Sequence, residues 1–253
     1  MPTIEENLNT WSSYKWPEEG DEWSFVWGGT PYLWYGTIFP RIRAFLPADT
    51  VLEIAPGYGR CTQYLLSLCR ELIVVDLAEK CIDACKKRFA VVSHIKYFAN
   101  DGKSLDMLED NSLDFVFSWD SLVHAECDVL FSYIKYLSAK LKPGGFGFIH
   151  HSNMGSFKDP ETGKLTIENA HWRATSMTAE LFLQYCKDVG LKCISQEIIN
   201  WGEGGLTDCF SLFTRESVKT ERETVIFENM DFMKEAYRMK KISELYNPEM
   251  PAR

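Results

Sequence analysis

The chain has little of several things, and each shortage narrows what it can do. No apolar run approaches the ~20 residues that a helix needs to span a bilayer, and the first turns of sequence are too polar for a secretory leader. Hydrophobic residues make up 45% and charged residues 25% of the chain, the ordinary mix of a globular domain. No basic stripe exists. With a net charge of −9, a nucleic-acid partner is not expected, because such a partner is bound by displacing counterions from phosphates. The eight cysteines include no Cys-x-x-Cys pair. Cys81 and Cys85 share one helical face and read as small buried hydrophobes rather than metal thiolates. Reduced thiols and a cytoplasmic location are the simplest expectation. Neither an internal repeat nor a low-complexity segment interrupts the 253 residues, which suffice for one domain with a lobe.

What is plentiful is tryptophan near the start. Trp11, Trp16, Trp23, Trp27 and Trp34 are five of the eight, interleaved with acids and glycines. Pro17, Pro31, Pro40 and Pro47 exclude one long helix there. Short helices and loops are expected over residues 1–47, packed on a core or covering a site.

From Val51 the pattern turns regular. "VLEIAPGYGR" (51–60) is a strand-forming run that carries one acid, Glu53, and ends in Gly57 and Gly59. A strand has no structural need for that acid. Two glycines so close let the backbone turn tightly and let another group approach it. Cys61, Tyr64, Leu65, Leu68 and Cys69 then recur at helical spacing. "LIVVDL" (72–77) is a continuous apolar run, suited to a strand buried on both faces. "AEKCIDACKKRFA" reads as a helix and "HIKYFAND" (94–101) as a strand; "SLDFVFSWD" (112–120), a helix near 127–141 and "FGFIHH" (146–151) continue the alternation. Such alternation implies a parallel sheet with helices on both faces. After a helix over 178–190, "CISQEIINW" and "TDCFSLFTR" have no helix between them and should pair antiparallel.

A glycine loop after the first strand, with Asp76 ending the second, suggests a nucleoside at the carboxyl edge of the sheet. Two cofactor classes compete. A dinucleotide site wants Gly-x-Gly-x-x-Gly, and Thr62 stands at the third position. An adenosyl cofactor without a pyrophosphate needs only the close approach, and its charged amino group has a use for Glu53. In order along the chain, "EIAPGYG", "VVD", "NDGKSL", "LDFVFSWDSLVH" and "LKPGGFGFI" resemble the motifs of class I S-adenosylmethionine-dependent methyltransferases. The resemblance covers about residues 48–150 and extends to 214. Ala55-Pro56 departs from the Gly-x of many relatives.

The resemblance implies an α/β, Rossmann-like fold: a seven-stranded, mostly parallel sheet with one antiparallel strand, helices on both faces and an N-terminal lid. It implies a lid at 1–47, a cofactor-binding domain at 48–214 with an acceptor-side insertion at 151–177, and a C-terminal helix and tail at 215–253. The tail is a candidate for tethering a further domain or for homo-oligomer contacts. S-adenosylmethionine is the implied cofactor. Ala55, Gly57 and Gly59 would let its methionine portion lie against the backbone, with Glu53 orienting the amino group. Asp76, beside Leu77, would take the ribose hydroxyls in a charge-assisted contact. Asp101 would accept from the adenine amine, flanked by Gly102 and Lys103, while Ser118 and Trp119 would pack near the adenine or the sulfonium.

Methyl transfer requires an aligned acceptor and removal of its proton. His124, after the fourth strand, is the first candidate base, followed by His151, with Asp120 completing the catalytic set. Alternation lets only one of His150 and His151 face the pocket. Trp27, Tyr32, His150, Asn153, His171 and Arg173 are the candidate acceptor contacts, and Arg173 could fork onto an acidic sugar. A divalent metal on Asp120 and the histidines is a rival that no ligand spacing demands, so no metal ligand is assigned. The tryptophan-rich start, "DSLVH" and "FIHHSNMG" more narrowly resemble methyltransferases of bacterial surface-glycan assembly, including domains that methylate a terminal Kdo sugar. That implies O-methylation of a small-molecule or glycan hydroxyl. A small-molecule N-methyltransferase and a non-catalytic cofactor-binding module are the alternatives.

Overall fold

Apolar runs alternating with amphipathic segments assemble here into one mixed sheet. The computed structural model describes residues 2–202, 204–216 and 223–247. Its strands are β1 (Ala48–Ile54), β2 (Cys69–Asp76), β3 (Ile95–Ala99), β4 (Leu113–Ser118), β5 (Leu141–Ser152), β6 (Lys192–Ile199), β7 (Asp208–Thr214) and β8 (Val225–Asn229). The α-helices are α1 (Ile4–Ser13), α2 (Thr30–Leu33), α3 (Phe39–Ile42), α4 (Thr62–Leu65), α5 (Glu79–Arg88), α6 (Cys127–Lys140), α7 (Ala179–Asp188) and α8 (Phe232–Leu245).

The strand order is β3-β2-β1-β4-β5-β7-β6-β8, and only β7 runs against its neighbours. The Rossmann-like arrangement with one antiparallel strand is therefore the one expected. The sheet has eight strands rather than seven. The extra strand is β8, parallel to β6, in a stretch expected to be helical. Val225, Ile226 and Phe227 form a short β-branched and aromatic run that favours a strand; the helix begins only at Phe232. Residues 248–253 of the expected tail lie outside the described residues. Among the described residues, no helix is long and apolar enough to cross a membrane.

Strand alternation divides the core between the two faces of the sheet. Leu52, Ile54, Val75, Val116 and Ile149 join α6 and α7 on one face. Val51, Val74, Phe117 and Phe148 join α5, α8 and the N-terminal segment on the other. The N-terminal tryptophans split accordingly. Trp27 and Trp34 are fully buried; Trp34 stacks on Tyr64 at 4.9 Å, and each such side chain contributes about 1.5–3 kcal/mol or more by burial. By contrast, α1 is held by a capping box between Thr3 and Glu6 and buries none of its residues.

The strand order reverses between β1 and β4, the switch point where ligands of such sheets bind. Both strands end there in a non-glycine residue with left-handed backbone: Ala55 at φ 57° and Asp120 at φ 54°. Each costs about 1–2 kcal/mol relative to ordinary backbone, and such outliers concentrate at functional sites. Ser121 Oγ donates to the Ala55 carbonyl at 2.8 Å and ties the two turns together.

Candidate active site

A cavity of about 520 Å³ opens over that switch point. One end is floored by Glu53, Ala55, Gly57, Asp76, Leu77 and Gly102; the other is walled by Trp119, Asp120, His124, His171 and Arg173, and Trp11, Trp16 and Trp23 roof it. Three of the tryptophans that marked the start of the sequence thus lie on the cavity, while Trp27 and Trp34 belong to the core.

At the first end, two buried carboxylates have no ion-pair partner among the described residues. Glu53 Oε2 accepts from Thr62 Oγ1 at 2.6 Å, and burial pushes its pKa up to about 7. Asp76 accepts from the N–H groups of Gly57 (3.2 Å) and Ala78 (2.8 Å). Burial nevertheless raises its pKa to about 6. A buried carboxylate in this state gains from any cation that arrives. Gly57 has φ 58°, and a Cβ there would lie 2.8 Å from Trp16 Cη2; Trp16 is stacked on Tyr58 at 4.6 Å. The loop therefore offers bare backbone beneath an indole. Glu53, Asp76, the glycine loop and Gly102 fit a nucleoside that carries an ammonium group.

The second end carries its own counter-charges. Asp120 lies 3.3 Å from Arg60 Nη2 and 3.3 Å from Arg173 Nη2. Arg173 Nε approaches Asp208 Oδ1 to 2.8 Å, an ion pair whose N–H is not aligned for a hydrogen bond, and its guanidinium lies 5.0 Å from the Trp201 ring centre. His150 completes the chain: its Nδ1 accepts from the Asp120 N–H (3.1 Å), so its Nε2–H donates to Asp208 (3.0 Å). Asp208, fully buried, is held below its ordinary pKa by Arg173 and His150 against the cost of burial.

His124 borders this end. Its Nδ1 lies 3.0 Å from the Trp172 carbonyl. A carbonyl only accepts, so Nδ1 carries the proton and Nε2 keeps the lone pair. Burial, then the nearby Arg173, lowers its pKa to about 4. His124 is neutral at any ordinary pH.

Several residues singled out from sequence lie elsewhere. His151 is turned away from the cavity: its ring stacks on Phe182 at 4.5 Å and Nε2 accepts from Ser211 Oγ at 2.8 Å. It occupies a second base position only in sequence, because alternation sends it to the face opposite His150. His150 itself is buried and touches the cavity through Asp120 rather than directly. Asn153 accepts from the Ala179 N–H at the start of α7. Trp27 donates to Thr37 Oγ1 in the core, and Tyr32 is partly exposed on α2, outside the cavity lining. A Cβ on Gly59 would meet Phe89 at 2.6 Å, so that glycine serves packing against α5. Ser118 Oγ donates to the Ile54 carbonyl and joins β4 to β1. Asp101 accepts from the N–H groups of Lys103 and Ser104 and, with exposed Lys103, stays off the cavity. Arg173 lies on the cavity, but its fork is already taken by carboxylates. Among the described residues, no group of three His, Cys, Asp or Glu side chains is arranged to hold a metal ion.

Sequence reasoning missed Arg60, Glu22, Trp201 and Asp208. For Asp208 a signal was there: an acid inside the apolar run "TDCFSLFT" raises the same question as Glu53.

Comparison with known proteins agrees with this geometry. Residues 51–145 match a family model described as a methyltransferase domain. Phosphoethanolamine N-methyltransferase 1 of Triticum aestivum is 28% identical over 148 residues, 56% of this chain and 29% of that protein. Phosphoethanolamine N-methyltransferase 1 of Arabidopsis thaliana is 26% identical over 180 residues, 64% of this chain and 35% of that protein. The chain thus spans about a third of the length of these curated relatives. Among solved structures, a DhpI–SAH complex covers 86% of this chain and 98% of its own at 16% identity, with a TM-score of 0.56. An S-adenosylmethionine-dependent methyltransferase from Clostridium acetobutylicum ATCC 824 covers 77% and 91% at 15% identity, with a TM-score of 0.55. Likeness at such identities shows the fold. Residues 51–145 thus carry the likeness to a methyltransferase domain, and S-adenosylmethionine is the cofactor that this likeness and the residues around the glycine loop fit.

Proposed function

We propose that the protein transfers the methyl group of S-adenosylmethionine to a hydroxyl of a sugar or glycan. The observation that carries this reading is the state of His124. When bound, the cofactor supplies a methyl group already activated on a positive sulfur. What the chain must add is alignment and removal of the acceptor's proton. A hydroxyl oxygen becomes strongly acidic as it is alkylated, so a neutral imidazole with pKa about 4 is base enough to take its proton at Nε2. An amine acceptor must lose its proton first. From an ammonium near pKa 10 to a base near 4 the gap is about six units, roughly 8 kcal/mol.

Charge supports the same reading. Asp120 and Asp208 are balanced by Arg60 and Arg173, so the acceptor end suits a neutral polyol, with indole faces for C–H surfaces and carboxylates and arginines for hydroxyls. An acidic sugar such as Kdo would want a cation that is not already paired. Glu53, Asp76 and the Gly57 loop are assigned to the cofactor. Residues 2–23 are assigned as a lid, because Trp11, Trp16 and Trp23 roof the cavity.

An amine acceptor is the second reading. The names of the relatives favour it, and so does Glu22, a cavity residue whose buried Oε1 has no partner among the described residues. A screen of sugars and amines for S-adenosylhomocysteine formation separates the two. With the correct sugar, His124→Ala should lower turnover by about 10²–10⁴-fold while cofactor affinity holds. Wild-type turnover should show no limb from this histidine between pH 6 and 8, since it loses its proton near 4. Near-normal turnover in that mutant, or methylation of amines alone, would overturn the hydroxyl reading.

A further inference from the structure

Beyond Arg173 lies a second cavity of about 260 Å³, lined by Met154, Glu168, Gly202, Gly204 and Thr207. It shares Ala170, His171, Arg173 and Trp201 with the main cavity, so these side chains form a partition seen from both sides. The partition is charge-neutral in sum, since Arg173 is balanced by carboxylates. It presents an indole and an imidazole, the surfaces that suit the C–H face of a pyranose ring, and the exposed Glu168 offers a carboxylate to hydroxyls beyond it. Next to this partition, on the main cavity, stands Trp172, 66% exposed and held at φ 52°. A large aromatic kept exposed in left-handed backbone is a costly arrangement without a ligand. The same residue gives its carbonyl to His124 Nδ1, which links whatever docks on the indole to the tautomer of the base.

We infer that the acceptor is an oligosaccharide of at least two rings: the ring to be methylated sits in the main cavity, and the adjoining ring passes Trp172 into the second. This rests on the hydroxyl reading above and adds to it a chain-length requirement. The main cavity must already hold the cofactor together with the reacting ring. A free monosaccharide would leave the second cavity and its glycine-lined floor without a purpose.

Gly204 offers a selective test. Its backbone is not left-handed, and a Cβ there would find only Ile167 Cδ1, at 4.0 Å, so Gly204→Phe sets a ring on the lining of the second cavity without local strain. Binding of methyl hexopyranosides and of matching di- and trisaccharides is to be followed by tryptophan fluorescence with S-adenosylhomocysteine present. The wild type should bind the longer sugars about tenfold or more tighter than the monosaccharides, the worth of one or two hydrogen bonds. Gly204→Phe should reduce the longer sugars to the monosaccharide level and leave S-adenosylhomocysteine affinity unchanged. Glu168→Leu, an exposed change that does not risk folding, should weaken the longer sugars alone by about threefold to tenfold. Equal affinity for one ring and two in the wild type, or full disaccharide affinity in both variants, overturns the extended acceptor and leaves the hydroxyl reading standing. Failure of every sugar to bind, with S-adenosylhomocysteine still bound, removes both.

Discussion

The two ends of the cavity solve the problem of buried charge in opposite ways. Under β1 and β2, Glu53 and Asp76 are buried with no ion-pair partner among the described residues, Arg60 acting on Glu53 only from a distance, and their pKa values rise to about 7 and about 6. Beyond β4 and β5, the buried Asp208 and the largely covered Asp120 have Arg60 and Arg173 against them. The first end is electrostatically incomplete until a cation arrives, and the second is complete already. An incomplete site gains affinity for charge; a complete one gains rigidity and tolerates a neutral ligand. One pocket can therefore take a cationic cofactor and an uncharged acceptor without confusing them.

The contrast breaks most severely at Asp208. Asp208→Ala leaves Arg173 with Asp120, at 3.3 Å, as its one ion-pair partner among the described residues and should cost about 3–5 kcal/mol in folding stability, read by urea denaturation. Adding Arg173→Met should recover much of that loss, because the uncompensated charge goes too; no recovery would mean that Asp208 acts through His150 instead. Next in size is Asp76→Ala. It should weaken S-adenosylmethionine binding by about 2–3 kcal/mol through the ribose hydroxyls, with fold intact, and unchanged calorimetric affinity would remove Asp76 from the site.

A subtler test uses pH. Below about 7 Glu53 is increasingly protonated, so a cofactor ammonium must displace that proton. Affinity should rise between pH 6 and 8 by roughly up to tenfold per unit below the pKa, with proton release visible in buffers of different ionisation enthalpy. Glu53→Gln should flatten the profile. Without ligand the sign reverses: a carboxyl whose folded pKa exceeds its ordinary 4.5 withdraws stability as pH climbs from about 4.5 to 7. His124 and His151, both lowered to about 4, withdraw it as pH falls from about 6.5 to 4. The smallest effect belongs to Lys80, whose Nζ donates to the carbonyls of Ser12 and Tyr14. Lys80→Ala should change global stability by no more than about 0.5 kcal/mol yet speed hydrogen exchange in α1; unchanged exchange would mean that this tie does not hold the segment.

How much of this could be read beforehand follows from the physics of each part. Buried strands announce themselves, because a run such as "LIVVDL" has one comfortable environment, and the glycine loop and Asp76 follow from strand order. The partners of a side chain are another matter. Arg173 looked available for a ligand, but its fork is taken by Asp120 and by Asp208, 35 residues further on, and no local pattern encodes that meeting. Asp101 looked like an adenine contact and instead closes its own turn. The N-terminal stretch read as one lid because its tryptophans were counted together. Burial separates Trp27 and Trp34, part of the core, from the roof formed by Trp11, Trp16 and Trp23.

That separation bears on time as well as shape. The roof touches the body through the Lys80 contacts, an Asn7 bond to the His124 carbonyl, Arg88 at the Glu19 carbonyl and a few indole faces, while α1 hides none of its own residues. Few buried contacts mean a low opening free energy, so the roof should lift many times for each unfolding of the sheet beneath. Cofactor exchange gated by such a roof would tie turnover to a segment whose opening costs far less than unfolding of the sheet.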